Sequence, residues 1–348
     1  MPDFIQSLPK AELHLHLEGT IEPETLLELS RRHAGALPLP GNRYEQPPGG
    51  LPHLTQEEIA QLYQYKNFHG FLMAFKTVSE RLRTPEDYEL VTYKLMQRLH
   101  AENVYHAEVY ISAGIVHWRG QAFAPVFEGA ERGRKRGEKD FGISLLWIFD
   151  AVRHFGAQPA QRVLEEAIRC REKSEAVIGI GIGGDEQRAP AEMFRDVFRT
   201  AREHGLRLTA HAGESAGPES IWAAINIGAE RIGHSLTAVH DEELMAVLAE
   251  RQIPLEICVT SNLKTQCCKS VSQHPLRKYF DAGLMVSLHT DDPAMFGASM
   301  NGEYRLAGSE FGFSNDELHE VARNGFEASF LPEKRKIKLL DRIDGVRR

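Results

Sequence analysis

Short apolar runs alternate with longer segments of helical period along most of the chain. An apolar run bounded by turn residues predicts a buried β-strand, and a period of about 3.6 residues predicts an amphipathic helix. Strands are predicted at 11–16, 104–111, 143–149, 177–182, 206–211, 231–233, 255–258 and 285–288. Helices are predicted at 85–100, 159–173, 190–204, 218–227 and 241–251, each with Pro or Asp near its start. Eight alternating strand and helix units predict an α/β fold, the closed (β/α)8 TIM barrel.

The gap between the first two predicted strands departs from this alternation. It holds a loop rich in Pro and Gly at 37–54 and helical patterns at 55–63 and 67–82. Phe68, Phe71 and Phe75 recur there at helical spacing, which is typical of core packing. An insertion after a barrel strand also lies on the catalytic face, where it can cover the site. We therefore expect one barrel domain over 1–348 with a helical lid insertion at 37–84, and both interpretations of the aromatic stripe stay open.

Composition narrows the class of protein. With 348 residues of which 42% are apolar, the chain can bury a large core. A formal net charge of -8 without a concentrated basic face argues against nucleic acid as a partner. We read the short basic cluster at 132–136 as the solvated end of a helix.

Cysteine spacing and the distribution of apolar runs predict the cellular compartment. The four cysteines lack the spacing of a disulfide framework or of a C-x-x-C metal site. The chain also lacks a signal-like start and any apolar run approaching the roughly 20 residues of a membrane span. These features predict a cytoplasmic protein without a membrane partner.

The first predicted strand carries His14 and His16, two residues apart in an apolar run. Because side chains alternate between the faces of a strand, both imidazoles project from one side and can reach one metal ion. An isolated His-x-His is more often a strand with two polar residues. The remaining ligands must therefore come from elsewhere in the chain.

Metal-binding and titratable residues follow three later strands at the edge where a barrel would gather them. These residues are His211 and Glu214 after the fifth strand, His234 after the sixth, and Asp291 after the eighth. Three imidazoles and one carboxylate make an open Zn(2+) site, in which a bound water has its pKa lowered toward neutrality. Glu214 can protonate a heteroaromatic ring nitrogen, and His234 and Asp291 can orient or deprotonate the water. The pattern predicts hydrolysis.

Several motifs in fixed order resemble the adenosine deaminase family. They are Pro9 to Gly19 (PKAELHLHLEG), Gly183-Gly184-Asp185-Glu186, His211-Ala212-Gly213-Glu214, Gly233-His234, Thr260-Ser261-Asn262 and Thr290-Asp291-Asp292-Pro293. The resemblance runs from about Leu8 to about Phe330. It implies a zinc-dependent aminohydrolase, with a small-molecule 6-aminopurine nucleoside as its partner.

The resemblance also implies roles for individual residues. His14, His16, His211 and Asp291 look like the ligands of one zinc ion per subunit. Glu214 resembles the group that protonates purine N1 while hydroxide attacks C6, and His234 the residue that orients that hydroxide. Asp292 resembles the contact of N7, and the backbone of Gly184 the partner of N3.

Glu18 departs from the adenosine-specific pattern His-x-His-Leu-Asp-Gly, in which the Asp meets the nucleoside 5′-hydroxyl. Relatives with another residue there include adenine deaminases and the deaminases of 6-amino-6-deoxyfutalosine, an intermediate of menaquinone biosynthesis. The segments 178–184, 212–222 and 292–304 are most similar to the second group. We predict conversion of aminodeoxyfutalosine to futalosine, with adenosine or 2′-deoxyadenosine, then adenine, as the alternatives.

Aminodeoxyfutalosine carries a benzoate-bearing extension, so its pocket should offer a cation beyond the ribose. Asp150, Arg153 and His154 follow the third predicted strand and are candidate substrate contacts. Arg153 and His154, with Lys264 as a further candidate, are predicted to hold the carboxylate. His289 is either a partner of the metal site or a pocket residue, and the sequence leaves both open.

Other function classes fit the sequence less well. A purine binder without turnover would be expected to lose Glu214 or a metal ligand, and all are present. A hydrolase of another ring would share the metal but would not need Gly184 and Asp292 to face a purine. The zinc deaminases with H-x-E and P-C-x-x-C signatures are excluded because that pattern is absent.

Overall fold

Eight parallel strands form one sheet at the centre of the computed structural model, which describes residues 3–37 and 50–346. The strands are β1 Lys10–His16, β2 Val104–Ile111, β3 Ser144–Val152, β4 Val177–Gly183, β5 Arg207–Ala212, β6 Arg231–His234, β7 Leu255–Ile257 and β8 Val286–Leu288. Each strand pairs in parallel with the next in sequence order. The predicted TIM barrel is confirmed, and the largest shift of a strand end is at β3, which continues to Val152.

Helices cover the sheet on its outside. They are α1 Phe4–Ser7, α2 Pro23–Arg32, α3 Gln56–Leu62, α4 Phe68–Ser79, α5 Pro85–Ala101, α6 Ala113–Trp118, α7 Phe123–Phe141, α8 Ala157–Arg171, α9 Arg195–Glu203, α10 Pro218–Ile227, α11 Glu242–Glu250, α12 Val259–Lys264, α13 Leu276–Asp281, α14 Pro293–Phe296, α15 Met300–Phe311, α16 Asn315–Ala328 and α17 Glu333–Asp344. None of these helices has the length and apolar character that crossing a bilayer requires.

Helix ends follow the local sequence. Thr84 and Asp87 form a reciprocal capping box at the start of α5, whose first residue is Pro85. The predicted helix at 190–204 was too long, because its first turn is the 3-10 segment Ala191–Phe194 and α9 begins only at Arg195.

The barrel closes between β1 and β8 through backbone and side chains together. Asp291 N–H donates to His14 O (3.0 Å), and His16 N–H donates to Asp291 O (2.9 Å). Between the same two strands, Leu13 N–H donates to His289 Nδ1 at 3.0 Å. The Nε2 of the His289 ring lies 2.8 Å from Ser287 Oγ. His289 is therefore fully used in closing this seam and is not a pocket residue.

Two helices of the insertion after β1 form near their predicted positions. Phe71 of α4 is buried and packs on Phe296 with ring centroids 4.9 Å apart. Phe68 and Phe75 are half-buried and, with Phe71, border the cavity described below. The aromatic stripe therefore packs in the core and also lines the cavity. Part of the proposed lid, 38–49, lies outside the described residues, and its action as a lid within a single domain stays a prediction.

Candidate active site

Four buried side chains gather where β1, β5 and β8 end. They are His14, His16, His211 and Asp291, and one ligand atom from each lies within 4.8 Å of every other. His16 Nε2 is 3.1 Å from His211 Nε2 and 3.5 Å from Asp291 Oδ1. His14 Nε2 is 3.6 Å from the same carboxylate oxygen. The four residues predicted as ligands therefore come together at one point.

Neighbouring groups decide which ring nitrogens face that point. His14 Nδ1 lies 2.8 Å from Glu256 Oε2, and His211 Nδ1 lies 3.1 Å from Ile182 O. Both partners are acceptors, so each Nδ1 carries a proton and each Nε2 faces the cluster as the candidate ligand atom. Asp291 Oδ2 accepts from Ser261 Oγ at 2.6 Å, which leaves Oδ1 as the ligand atom.

The partner of His14 is itself held in a buried ion network. Glu256 Oε1 lies 2.6 Å from Arg231 Nε, and Arg231 Nη1 donates to Glu108 at 2.6 Å. Burial raises the pKa of Glu256, but Arg231 more than offsets this and lowers it to about 2. Glu256 is thus a fixed anion that orients the His14 ring, as carboxylates do behind metal-bound histidines.

The donor set fits a divalent cation. Ligand atoms about 2.0–2.1 Å from one ion lie roughly 3–4 Å apart, and the separations of 3.1, 3.5 and 3.6 Å found here fall in that range. Burial lowers the pKa of His16 to about 4, so this ring is neutral, as a ligand must be. Burial also lowers the pKa of His14, but Asp291 and Glu256 raise it to about 10, so without a cation a proton occupies Nε2. A metal bound by these four residues would displace that proton and lower the pKa of a bound water toward neutrality.

The backbone is strained at the end of β6 and in the loop that follows β8. Asp291 (φ 63°), His234 (φ 66°) and Ser235 (φ 54°) adopt the left-handed conformation that non-glycine residues rarely take. Such strain persists only where the surroundings hold it, and it collects at functional sites. The strained residues lie at the end of β6 and in the loop after β8, where His234 and Asp291 face the cluster.

Glu214 lies in the loop after β5 with a side chain only 8% exposed, and its Oε2 is 3.7 Å from His234 Nε2. One carboxylate holds this loop. Glu186 accepts from the backbone N–H groups of Gly213, Glu214 and Ser215 at 2.8–3.0 Å, and from Ser220 Oγ at 2.6 Å. Burial, followed by the charges of Asp291 and Glu186, raises the pKa of Glu214 to about 8. Glu214 is therefore suited to act as a proton donor near neutral pH.

Two further predicted residues border the same space. Asp292 is buried, its Oδ1 has no hydrogen-bond partner among the described residues, and burial and Asp291 raise its pKa well above the usual range. Gly184 has φ 95°, and a Cβ there would lie 3.0 Å from His154 Nδ1. Both therefore present polar atoms or backbone to a ligand.

A cavity of about 350 Å³ extends from the cluster of three histidines and Asp291 toward α4. Among the predicted residues, its lining includes His16, His211, Glu214, His234, Asp291, Asp292, Gly184, Asp150 and His154. Asp150 is buried and its Oδ1 is unpartnered among the described residues. Apolar residues line the outer part, namely Phe68, Phe71, Leu72, Phe75, Ile115, Trp118 and Phe155. Its volume falls within the range typical of small-molecule sites, about 300–1,000 Å³.

Three predicted substrate contacts lie elsewhere. Arg153 is fully buried outside the lining and donates to His211 O and Ala189 O, because the 3-10 turn Arg153–Phe155 directs it inward. It bonds to the backbone of His211 and does not reach the cavity. Lys264 is exposed and also outside the lining. Glu18 is buried behind Ser112, whose N–H donates to its Oε1 at 3.1 Å.

Several residues of the site were missed from the sequence. Glu256 acts through a contact far along the chain, so no local pattern marks it. Glu186 belongs to the motif at 183–186, but its bonds to the loop after β5 were not predicted. Arg188, Lys76 and the buried Arg119 are the cationic residues of the cavity lining. The position of Arg188 in the loop that follows Gly183-Gly184 was the available signal, because loops after barrel strands form the catalytic face.

Gly19→Ala tests the close packing beside Asp292. A Cβ at Gly19 would lie 1.9 Å from Asp292 Oδ1 and 2.5 Å from its Cγ, so the carboxyl group must move. We expect a loss of about 1–3 kcal/mol in stability, measured as a lower Tm, together with reduced kcat/KM. Gly308→Ala is the control, because its Cβ would meet neighbours at an ordinary 3.7 Å. Equal Tm and kcat/KM for the two variants would contradict the packing described.

Comparisons with known proteins agree with this geometry. The family model described as Adenosine deaminase matches residues 9–346. The chain is 35% identical to an aminodeoxyfutalosine deaminase of Streptomyces avermitilis, over 98% of this chain and 92% of that protein. It is 33% identical to an adenine deaminase of Wolinella succinogenes, over 99% of both.

Solved structures give the same result. An adenine deaminase from Arthrobacter aurescens superposes with a TM-score of 0.87 at 30% identity, covering 97% of this chain and 98% of that one. An amidohydrolase from Burkholderia ambifaria with bound Zn superposes with a TM-score of 0.84 at 27% identity, covering 99% of this chain and 92% of that one. The barrel of this chain is thus the fold of solved deaminase and amidohydrolase structures.

Proposed function

The chain belongs to the adenosine deaminase family, and from that premise we propose that it deaminates 6-amino-6-deoxyfutalosine to futalosine. The proposed cofactor is one Zn(2+) per subunit, held by His14, His16, His211 and Asp291. The four cysteines are free thiols, which fits the reducing cytoplasm as the compartment.

The proposed reaction adds water to purine C6 and removes the amino group. A C6–O bond forms while Glu214 gives its proton to N1, and the C6–N bond then breaks. The proton from Glu214 stays on N1 of the 6-oxopurine. One proton of the water replaces it on Glu214, and the other leaves with ammonia. Asp292 and the backbone of Gly184 hold the ring through N7 and N3. His234 orients the attacking oxygen.

The shape of the cavity is the observation that carries the choice of substrate. A purine held between Glu214 and Asp292 occupies the metal end, and the cavity continues outward along α4 to Trp118 and Phe155. The rings of Trp118 and Phe155 are nearly parallel, with centroids 6.0 Å apart and an angle of 14° between their planes. They form an apolar wall for an aromatic group beyond the ribose.

Arg188 supplies the cation that a benzoate carboxylate requires. Its side chain is 77% exposed at the mouth of the cavity, with Nε 3.3 Å from Asp185 Oδ2. An exposed pair of this kind contributes little to stability, so a substrate carboxylate can take the place of Asp185. Arg188 replaces Arg153 as the proposed carboxylate contact.

Arg188→Met and Arg153→Met separate these two assignments. We expect Arg188→Met to lower kcat/KM for aminodeoxyfutalosine about tenfold, the value of one charged hydrogen bond, and to leave adenosine almost unaffected. Arg153→Met removes a buried donor from His211 O, so it lowers both efficiencies and their ratio stays as in wild type. An unchanged ratio in Arg188→Met would remove Arg188 from this role. A changed ratio in Arg153→Met would contradict the structural role given to Arg153.

Adenine is the second candidate substrate, because several similar proteins are named adenine deaminase. Glu18 favours it over adenosine. Its carboxylate is bound to Ser112 N–H and does not line the cavity, so no acidic group at this position meets a ribose 5′-hydroxyl. A higher kcat/KM on adenine than on aminodeoxyfutalosine would establish this alternative.

The pH dependence of kcat/KM should show the proton of Glu214. Its pKa is raised to about 8, so the protonated acid is present below that pH and is lost above it. A cation on the cluster favours the carboxylate, so the limb of the metal-loaded enzyme lies at or below about pH 8. Activity should then fall about tenfold per pH unit. A profile that is flat up to pH 9 would contradict the role of Glu214 as the acid.

A further inference from the structure

A chain of buried hydrogen bonds leads away from His234. His234 ends β6, Asn262 lies in α12, and His274 precedes α13; their exposed fractions are 1%, 0% and 5%. Asn262 Nδ2 is 3.0 Å from His234 Nδ1, and Asn262 Oδ1 is 3.2 Å from His274 Nε2. The last link is a backbone group, because Leu276 N–H donates to His274 Nδ1 at 3.2 Å. The proposed reaction assigns no role to Asn262 or His274.

The backbone end of the chain sets the direction of every bond in it. Leu276 N–H can only donate, so His274 Nδ1 is an acceptor and the proton of this neutral ring is on Nε2. His274 Nε2–H then donates to Asn262 Oδ1, which turns the amide NH₂ toward His234. His234 Nδ1 must accept from that NH₂, so its own proton is on Nε2.

The opposite arrangement is excluded by the same backbone group. If the Asn262 amide were flipped, its NH₂ would donate to His274 Nε2, and His274 would need its proton on Nδ1. That proton would face Leu276 N–H at 3.2 Å, donor against donor. A doubly protonated His274 fails in the same way, and burial lowers its pKa to about 3.

We propose that Asn262 and His274 are positioning residues that hold His234 in its Nε2–H tautomer. His234 Nε2 is the atom that faces Glu214 and the metal cluster. With the proton fixed there, His234 donates a hydrogen bond to the attacking oxygen and does not take a proton from it. This separates its role from that of a general base.

Two substitutions of Asn262 test this chain of hydrogen bonds, which we call the relay. Asn262→Asp places an acceptor opposite both rings, so His234 must move its proton to Nδ1 and present a bare Nε2 to the site. We expect kcat to fall about 10²-fold, as when a donor to a reacting oxygen is lost, with KM and bound metal near wild type. Asn262→Leu removes the amide without adding charge, so both tautomers become populated and kcat should fall less than in Asn262→Asp.

His274→Gln is the matched control. A glutamine can accept from Leu276 N–H and donate to Asn262 Oδ1, so kcat should stay within about threefold of wild type. The direct readout is the ¹⁵N NMR spectrum of histidine-labelled, metal-loaded protein without substrate. It should show His234 protonated at Nε2 in wild type and His274→Gln, and at Nδ1 in Asn262→Asp.

The tautomer measurement separates this inference from the proposed substrate, on which only the kcat assay depends. Protonation of His234 at Nδ1 in the wild type would overturn the relay. An unchanged tautomer in Asn262→Asp would also overturn it. A switched tautomer with an unchanged kcat would overturn the catalytic importance of the Nε2 proton.

Discussion

Glu214→Gln should lower kcat by about 10²–10⁴-fold, the range associated with loss of a general acid. Glutamine keeps the size of the side chain and its place between His234 and the cavity, but it has no acidic proton to give to N1. The backbone of the loop stays fixed, because Glu186 holds it through main-chain N–H groups that the substitution leaves intact. KM and metal content should therefore change little.

The control for this variant is Glu219→Gln. Glu219 is a nearby carboxylate that accepts one bond from Gly217 N–H and does not line the cavity. Its variant should keep wild-type kcat. If Glu214→Gln retains more than about a tenth of wild-type kcat, a general acid at this position is contradicted.

His211→Ala should remove both metal and activity. His211 provides one of the three imidazoles of the cluster, and its Nε2 lies only 3.1 Å from that of His16. With a ligand gone, the protein loses the cation that lowers the pKa of water, a shift of several units. Deamination should fall at least about a thousandfold.

Metal analysis and thermal unfolding check this prediction together. The wild type should contain about one Zn(2+) per chain and lose Tm when a chelator removes it, because a ligand bound to the native state stabilises it. His211→Ala should start without metal and show no chelator effect. His204→Ala, at an exposed histidine, is the control. Full metal content and activity in His211→Ala would contradict the assignment of this ligand.

Periodicity predicted most of the barrel and the position of the metal cluster. All eight strands were found, because buried parallel strands are continuous apolar runs with little dependence on distant residues. His14 and His16 came together with His211 and Asp291 because strand ends meet at one edge of a barrel.

The roles of the other residues could not be predicted, because they depend on contacts between distant parts of the chain. The direction of Arg153 depends on a short 3-10 turn that periodicity does not reveal, and the buried residue bonds to His211 O instead of reaching a substrate. His289 was left open because its partners, Leu13 and Ser287, meet only when the barrel closes. The relay from Leu276 to His234 also depends on hydrogen-bond directions that only the assembled structure supplies.

The most direct test compares substrates on the zinc-loaded wild type. We would measure kcat/KM for 6-oxopurine formation and ammonia release with 6-amino-6-deoxyfutalosine, adenosine, 2′-deoxyadenosine and adenine. We expect kcat/KM for aminodeoxyfutalosine to be at least about tenfold higher than for any of the other three substrates. Each turnover should release one 6-oxopurine product and one ammonia. Preference for adenine or adenosine would contradict the proposed substrate, and failure to deaminate any of the four would contradict the proposed function itself.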